Sequence, residues 1–327
     1  MRLTSLSGLA AALGLATVAF QAQAQALETI GRPENGLMGF QPAVTELARD
    51  IHSLDHMLLI IIGVISVFVT ALLIWVMIRF NSRTNKTPAT FTHNSPIEIA
   101  WTIIPILILV FIGAFSMPVL FKQQEIPTAD ILIKATGNQW YWSYEYAQDG
   151  TTPAEGEEPL AFDSMMLDGS TSVPSLGADQ VMGTPQVLDD IAIQKLEAMG
   201  YTKEDWLLAT DTAMVIPVGK IIVVQTHGAD VIHSWTVPAF GVKQDAVPGR
   251  IGQLWFKADQ EGIYFGQCSE LCGKSHAYMP ITVKVVSQEA YDQWLAASKA
   301  AGGYVPVPGQ LAQADVPAGA VRMASAN

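Results

Sequence analysis

Two stretches of the chain are apolar all the way round. Residues 57–78 and 99–121 contain no charged side chain, and each is longer than the ~20 residues a helix needs to cross a bilayer's hydrocarbon layer. Neither has a polar face, which argues against a helix lying on a soluble core. With their flanks they predict membrane spans over 54–80 and 97–121, joined by a loop over 81–96. Pro105 and Pro118 inside the second span point to packing against further helices, because a neighbouring chain can satisfy the carbonyls that a proline frees. Arg79, Arg83 and Lys86 follow the first span, whereas Arg32 and Arg49 before it are offset by Glu34, Glu46, Asp50 and Asp55. Positive charge favours the cytoplasmic side, so the loop is expected inside and both termini outside.

Upstream, "MRLTSLSGLAAALGLATVAFQAQAQALE" has one early Arg, a short apolar run and small residues at Ala22, Ala24 and Ala26. That layout predicts a cleavable export signal over 1–24, followed by an exported segment over 25–53. Downstream of residue 130 the pattern changes to short alternating runs such as "ILIKATG", "WYWSYEY", "IIVVQTHG" and "PITVKVVS". Period two, β-branched and aromatic residues, and Gly or Pro punctuation predict an antiparallel β sandwich or barrel, here over 130–300. An acidic insertion over 150–210 interrupts it, and within this "QVLDDIAIQKLEAMGYTKEDWLL" has helical spacing, read as a short helix over a sheet edge. Residues 287–302 predict a closing helix with a Ser N-cap and a Gly stop. The Pro-, Gly- and Ala-rich remainder, 301–327, reads as a flexible tail.

Composition sharpens this picture. Half of the 327 residues are hydrophobic and only 15% are charged, which fits a chain in contact with membrane lipid. The net charge of -12 disfavours nucleic acid as a partner and favours a basic partner or simple solubility. Both cysteines fall in "GQCSELCGKSHAYMP", with Cys268 and Cys272 followed by His276 and Met279, and "ADVIHSW" adds His233 at a strand boundary. Thiolate, imidazole and thioether together suit copper. A tetrahedral zinc site leaves Met279 unused, a mononuclear copper site leaves a cysteine over, and a plain disulfide makes the histidines and methionine coincidental. Two bridging thiolates can instead serve two metals, each completed by one imidazole and one weaker donor. On the residues alone, copper, zinc and a disulfide all remain open.

"GQCSELCGKSHAYMP", "DVIHSW", "QWYWSYEY", "QDAVPGR" and "IEIAWTIIP" together resemble subunit II of the aa3-type haem-copper cytochrome c oxidases, over about 40–295. The resemblance implies a membrane-anchored all-β protein, a two-helix transmembrane hairpin followed by a cupredoxin-like Greek-key β-barrel. It implies a dinuclear copper centre (CuA) bridged by Cys268 and Cys272, with His233, His276, Met279 and the main-chain carbonyl of Glu270 as further ligands. The Glu270 side chain is expected to help hold Mg2+ or Mn2+ at the boundary with subunit I. Trp140 is expected to take the electron from cytochrome c, with Glu145, Asp163, Asp211 and Asp230 as docking acids, and Glu98 to stand at the mouth of a proton channel. Where the family motif has a histidine before Gln139, this chain has Asn138. The implied protein sits in a bacterial inner membrane with its main domain in the periplasm. Its partners are cytochrome c, subunit I and the other oxidase subunits. The rival reading is a copper-delivery or storage protein of the cell envelope.

Overall fold

The computed structural model describes residues 27–150 and 158–307. The expected export signal, the start of the insertion and most of the expected tail lie outside the described residues. Two long helices come first, α1 (Glu46–Arg79) and α2 (Ser95–Gln124). Thr45 caps α1 by accepting from Ala48 N, and Asn94 caps α2 by accepting from Ile97 N, which satisfies amides that no carbonyl of the same helix can reach. Both helices are long and apolar enough to cross a membrane. Each runs past its predicted span at the outer end. The added turns carry Glu46, Asp50 and Lys122, polar residues that a hydropathy reading leaves out. Lys122 pairs with Glu46 and, at 2.7 Å, with Asp50, tying the outer ends of the hairpin together.

The β domain is built from β1 (Thr29–Gly31), β2 (Ile131–Asn138), β3 (Tyr141–Gln148), β4 (Ala161–Ser164), β5 (Met214–Pro217) and β6 (Ile222–Gly228). It continues with β7 (His233–Val237), β8 (Val242–Ala246), β9 (Gly252–Phe256), β10 (Gly262–Gln267) and β11 (Pro280–Val286). Helix α3 (Asp190–Ala198) lies in the insertion and α4 (Gln288–Ala301) closes the domain. One sheet has the order β1-β10-β11-β5, the other β4-β3-β2-β6-β9, and β7-β8 form a ribbon. Buried rings of Trp142, Tyr144, Tyr146, Trp235, Phe240, Phe256, Tyr264 and Trp294 fill the space between them. The expected helix over 287–302 is found with Ser287 accepting from Ala290 N and Gly302 at φ 69°, a left-handed stop that suits glycine.

Three expectations change. The sheets are mixed, because β1/β10, β11/β5 and β2/β6 are parallel pairs. Strands far apart in the chain enter the same sheet in the same direction, which local alternation does not reveal. The 25–53 segment is not separate from the β domain. β1 pairs with β10, Thr45 Oγ1 donates to the Phe240 carbonyl at 2.7 Å, and Asp259 N donates to Val44 O at 3.0 Å. Finally, the insertion covers a sheet face rather than an edge. Leu167, Val173, Leu196, Met199 and Tyr201 pack on Ile263 and Phe265 of β10. β10 and β11 are therefore buried on both faces, and such strands read as apolar runs.

Candidate metal centre

Cys268 follows the end of β10 and Met279 precedes β11, so one antiparallel pair carries both ends of the loop that holds Cys272 and His276. His233 opens β7, and Ser269 N donates to Ser234 O at 3.0 Å, fastening the loop to that strand. Four donor side chains of one loop thus meet a fifth, His233, from a distant strand. The two Sγ atoms are 3.9 Å apart, Cys268 Sγ lies 3.9 Å from His233 Nδ1, and Cys272 Sγ lies 3.5 Å from His276 Nδ1 and 3.4 Å from Met279 Sδ. Cys268 Sγ also reaches the Glu270 carbonyl at 3.3 Å. Both cysteines are free, at nearly twice the ~2.05 Å of a bonded pair, so the disulfide reading is set aside. The ligand atoms of His233, Cys268 and Cys272 lie within 4.8 Å of one another.

The donor chemistry fits a soft metal pair. Burial raises the Cys268 thiol, but hydrogen bonds with His233 and the backbone of Glu270 and Ser234 outweigh it and bring the thiol down to about 7. Burial, then the charge of Cys268, pushes Cys272 up to about 12. A second thiolate beside the first is therefore costly unless cations share the site. A thioether and two imidazoles beside two thiols match copper's preferences better than those of zinc.

The surroundings hold these donor side chains in place. His233 Nε2 is 2.8 Å from Asp230 Oδ1, leaving Nδ1 toward Cys268. Burial works against a charged imidazole, but the bonds to Cys268 and Asp230 raise His233 above its ordinary value. Gly137 of β2 is a glycine because a Cβ there would sit 2.7 Å from two atoms of the His233 ring. The Cys272 carbonyl accepts from Gln139 Nε2 at 3.0 Å and from Trp140 Nε1 at 3.2 Å. Trp140 is half-buried at the β2–β3 turn, beside Gly273 and with Lys274 Nζ 5.5 Å from its ring centre. It lies outside the strand alternation that buries Trp142, Tyr144 and Tyr146. Asn138 donates to Ser143 Oγ and the Thr136 carbonyl.

The remaining predicted site residues fall into different settings. Glu145 and Asp163 lie on the outer side of β3 and β4, where Glu145 pairs with Lys134 at 2.5 Å and Asp163 accepts from Ser143 Oγ at 2.6 Å. Asp211 is half-buried, accepts from Met165 N and Thr212 N, and is pushed up to about 6 by burial. Asp230 spends its carboxylate on Gln139 N, Val231 N and His233. Glu270 is exposed next to Leu271, itself 78% exposed. Glu98 accepts from Asn94 N at 3.0 Å, a reciprocal cap, a whole helix away from the metal loop. Gln139, Gly137 and the Asp230–His233 link were missed in the sequence. Only the spacing of three between Asp230 and His233 hinted at the last.

Two family models match: "Cytochrome C oxidase subunit II, transmembrane domain" over residues 33–119, and "Cytochrome C oxidase subunit II, periplasmic domain" over 131–188 and 187–286. The chain is 59% identical over 302 residues to cytochrome c oxidase subunit 2 of Cereibacter sphaeroides, covering 92% of this chain and 93% of that one. The chain belongs to the cytochrome c oxidase subunit II family. A probable cytochrome c oxidase subunit 2 of Rickettsia bellii is 39% identical, covering 79% of this chain and 83% of that one. The solved periplasmic domain of subunit II from Bradyrhizobium japonicum is 40% identical, covering 54% of this chain and 99% of that one, with a TM-score of 0.39. As a subunit II, the chain is a membrane-anchored part of an oxidoreductase complex with other oxidase subunits as partners.

Proposed function

We propose that this subunit II accepts electrons from cytochrome c on the periplasmic side of a bacterial inner membrane and delivers them toward the haem of subunit I, where oxygen is reduced to water and protons are moved. The convergence of Cys268, Cys272, His233, His276 and Met279 on one buried spot carries this reading. When bound there, a copper pair (CuA) supplies a one-electron relay whose charge is shared by two ions, so little geometry changes on oxidation or reduction. Cys268, Cys272, His233, His276 and Met279 would hold the pair, with the Glu270 carbonyl as a further donor.

The chain's own residues do the rest. Asp230 fixes the His233 ring and its tautomer, as an outer partner does for a metal-binding imidazole. Trp140 spans from the outer surface to the carbonyl of Cys272, a short covalent and hydrogen-bonded route for the incoming electron. Glu145 and Asp163 offer exposed or half-exposed negative charge that speeds encounter with a basic cytochrome. The exposed Glu270 is an oxygen donor suited to Mg2+ or Mn2+, and Leu271 beside it fits a contact with subunit I. Glu98, at the end of α2 far from the metal loop, would collect protons for subunit I.

The test is electron spin resonance with metal analysis on the purified oxidase. The expected spectrum shows one unpaired electron shared by two copper ions, abolished by Cys272→Ser. An isolated copper, a single loosely held ion removed by mild competitors, or zinc in its place would overturn the reading.

A further inference from the structure

The insertion contains a segment, residues 180–189, that keeps apolar side chains in water on a firmly held backbone. Val181, Met182, Val187 and Leu188 are 66%, 54%, 44% and 44% exposed. The buried Asp168 carboxylate accepts from Ser170 N at 2.8 Å and Ser170 Oγ at 2.7 Å, and across the turn from Gln186 N at 2.7 Å. Gly183 N donates to Gly169 O at 2.7 Å, and a Cβ on either glycine would sit 3.1 Å from the other's Cα. The fully buried Lys195 donates to Gly169 O at 2.7 Å and Thr171 O at 2.6 Å. Three polar residues are thus spent on the shape of a surface loop.

That loop adjoins the metal centre. Gln186, at φ 60°, extends Nε2 to 3.5 Å from Ser275 Oγ. Ser275 directly precedes His276 and follows Lys274, whose ammonium lies over Trp140. The ridge and the Trp140 region therefore border the same loop. Asp179 and Asp190 flank the ridge as exposed acids, on a chain of net charge -12.

Fixing apolar side chains in water gains a folded chain nothing by itself, whereas a preorganised ridge lowers the ordering cost of binding a partner. An apolar centre with acids at its rim suits a basic partner with an apolar patch. We infer that residues 180–189 form one wall of the electron donor's docking surface, with a basic c-type cytochrome as occupant and Val187 and Leu188 as its apolar contacts. This inference rests on the electron-accepting role proposed above.

The experiment compares the parent oxidase complex with a Val187→Ser, Leu188→Ser double variant. The reaction with a reduced basic c-type cytochrome is followed by stopped flow over a range of ionic strengths, and a small chemical reductant serves as a second donor. The expected result is a roughly tenfold lower second-order rate constant with the cytochrome, the cost of losing two buried contacts. The salt slope, the copper spectrum and the rate with the small reductant should stay at parent values. An unchanged cytochrome rate overturns the inference, as does an equal loss with both donors, which would mean the metal loop had shifted. A ridge covered by another oxidase subunit would show as loss of that subunit from the variant complex, also against it. Failure of the electron-accepting role itself would appear separately, as a parent complex lacking the paired-copper spectrum.

Discussion

At the scale of single residues, the site depends as much on what touches the ligands as on the ligands themselves. Gly137→Ala is the sharpest case, because the new Cβ would sit 2.7 Å from His233 ring carbons. The imidazole must turn aside, at an overpacking cost of about 1–3 kcal/mol. The expected outcome is a folded oxidase with reduced copper content and an altered paired-copper spectrum; an unaltered spectrum would show that the ring has room to spare. Asp230 separates two roles that sequence resemblance merged. Its carboxylate holds His233 at 2.8 Å, so Asp230→Asn should weaken copper retention by about 10–100-fold in a chelator competition. Asp163→Asn, with no contact to the ligands, should leave retention as it was and change only the reaction with cytochrome c. Four of the five candidate donors were legible because soft donor types cluster within one short loop. Gly137 and Gln139 were not, because glycine and glutamine carry no chemical signal until the fold brings a ring or a carbonyl beside them.

At the scale of elements, β11 carries the least expected feature. It is buried along its whole length, yet it contains Lys284, whose Nζ has the Tyr304 hydroxyl at 3.4 Å and the Tyr201 ring at 5.4 Å. Burial pushes this amine down to about 7. A folded value below the unfolded one means that, between about pH 7 and the ordinary 10.5, the unfolded chain binds the extra proton. Stability from this group therefore rises with pH across that window, by up to about 1.4 kcal/mol per pH unit, and is flat below it. Denaturant midpoints taken at pH 7 and pH 9 should differ in the parent, and Lys284→Met should shrink that difference. Equal differences in both proteins would show that the amine is solvated. Periodicity marks the helices and most strands. It carries no sign that the insertion covers β10 and β11 from outside, because burial on a second face depends on a segment far away in the chain.

At the scale of the whole molecule, the net charge of -12 acts at a distance, and the fold decides where it acts. Neutralising Glu145 and Asp163 together should slow reaction with a basic cytochrome at low salt and flatten its salt dependence, with little effect once screening is short-ranged. A salt dependence equal to the parent's would place the field elsewhere. Integration of the N-terminal segment gives a second outcome at this scale. A fragment starting at residue 131 loses β1 and the contacts of Val44 and Thr45, exposing the edge of β10. It should unfold at lower denaturant than a form that retains residues 27–45, and identical midpoints would show that the segment is only draped on the domain. The amino-acid sequence by itself determined the two spans, the β character of the remainder and the soft-donor set, because hydropathy, alternation and donor chemistry are properties of neighbouring residues. The parallel pairings, the cover over β10, the work of Asp230 and the meeting of His233 with the cysteine loop were decided only by tertiary structure. Each is a contact between positions far apart in the chain, and such a contact has no local physical trace.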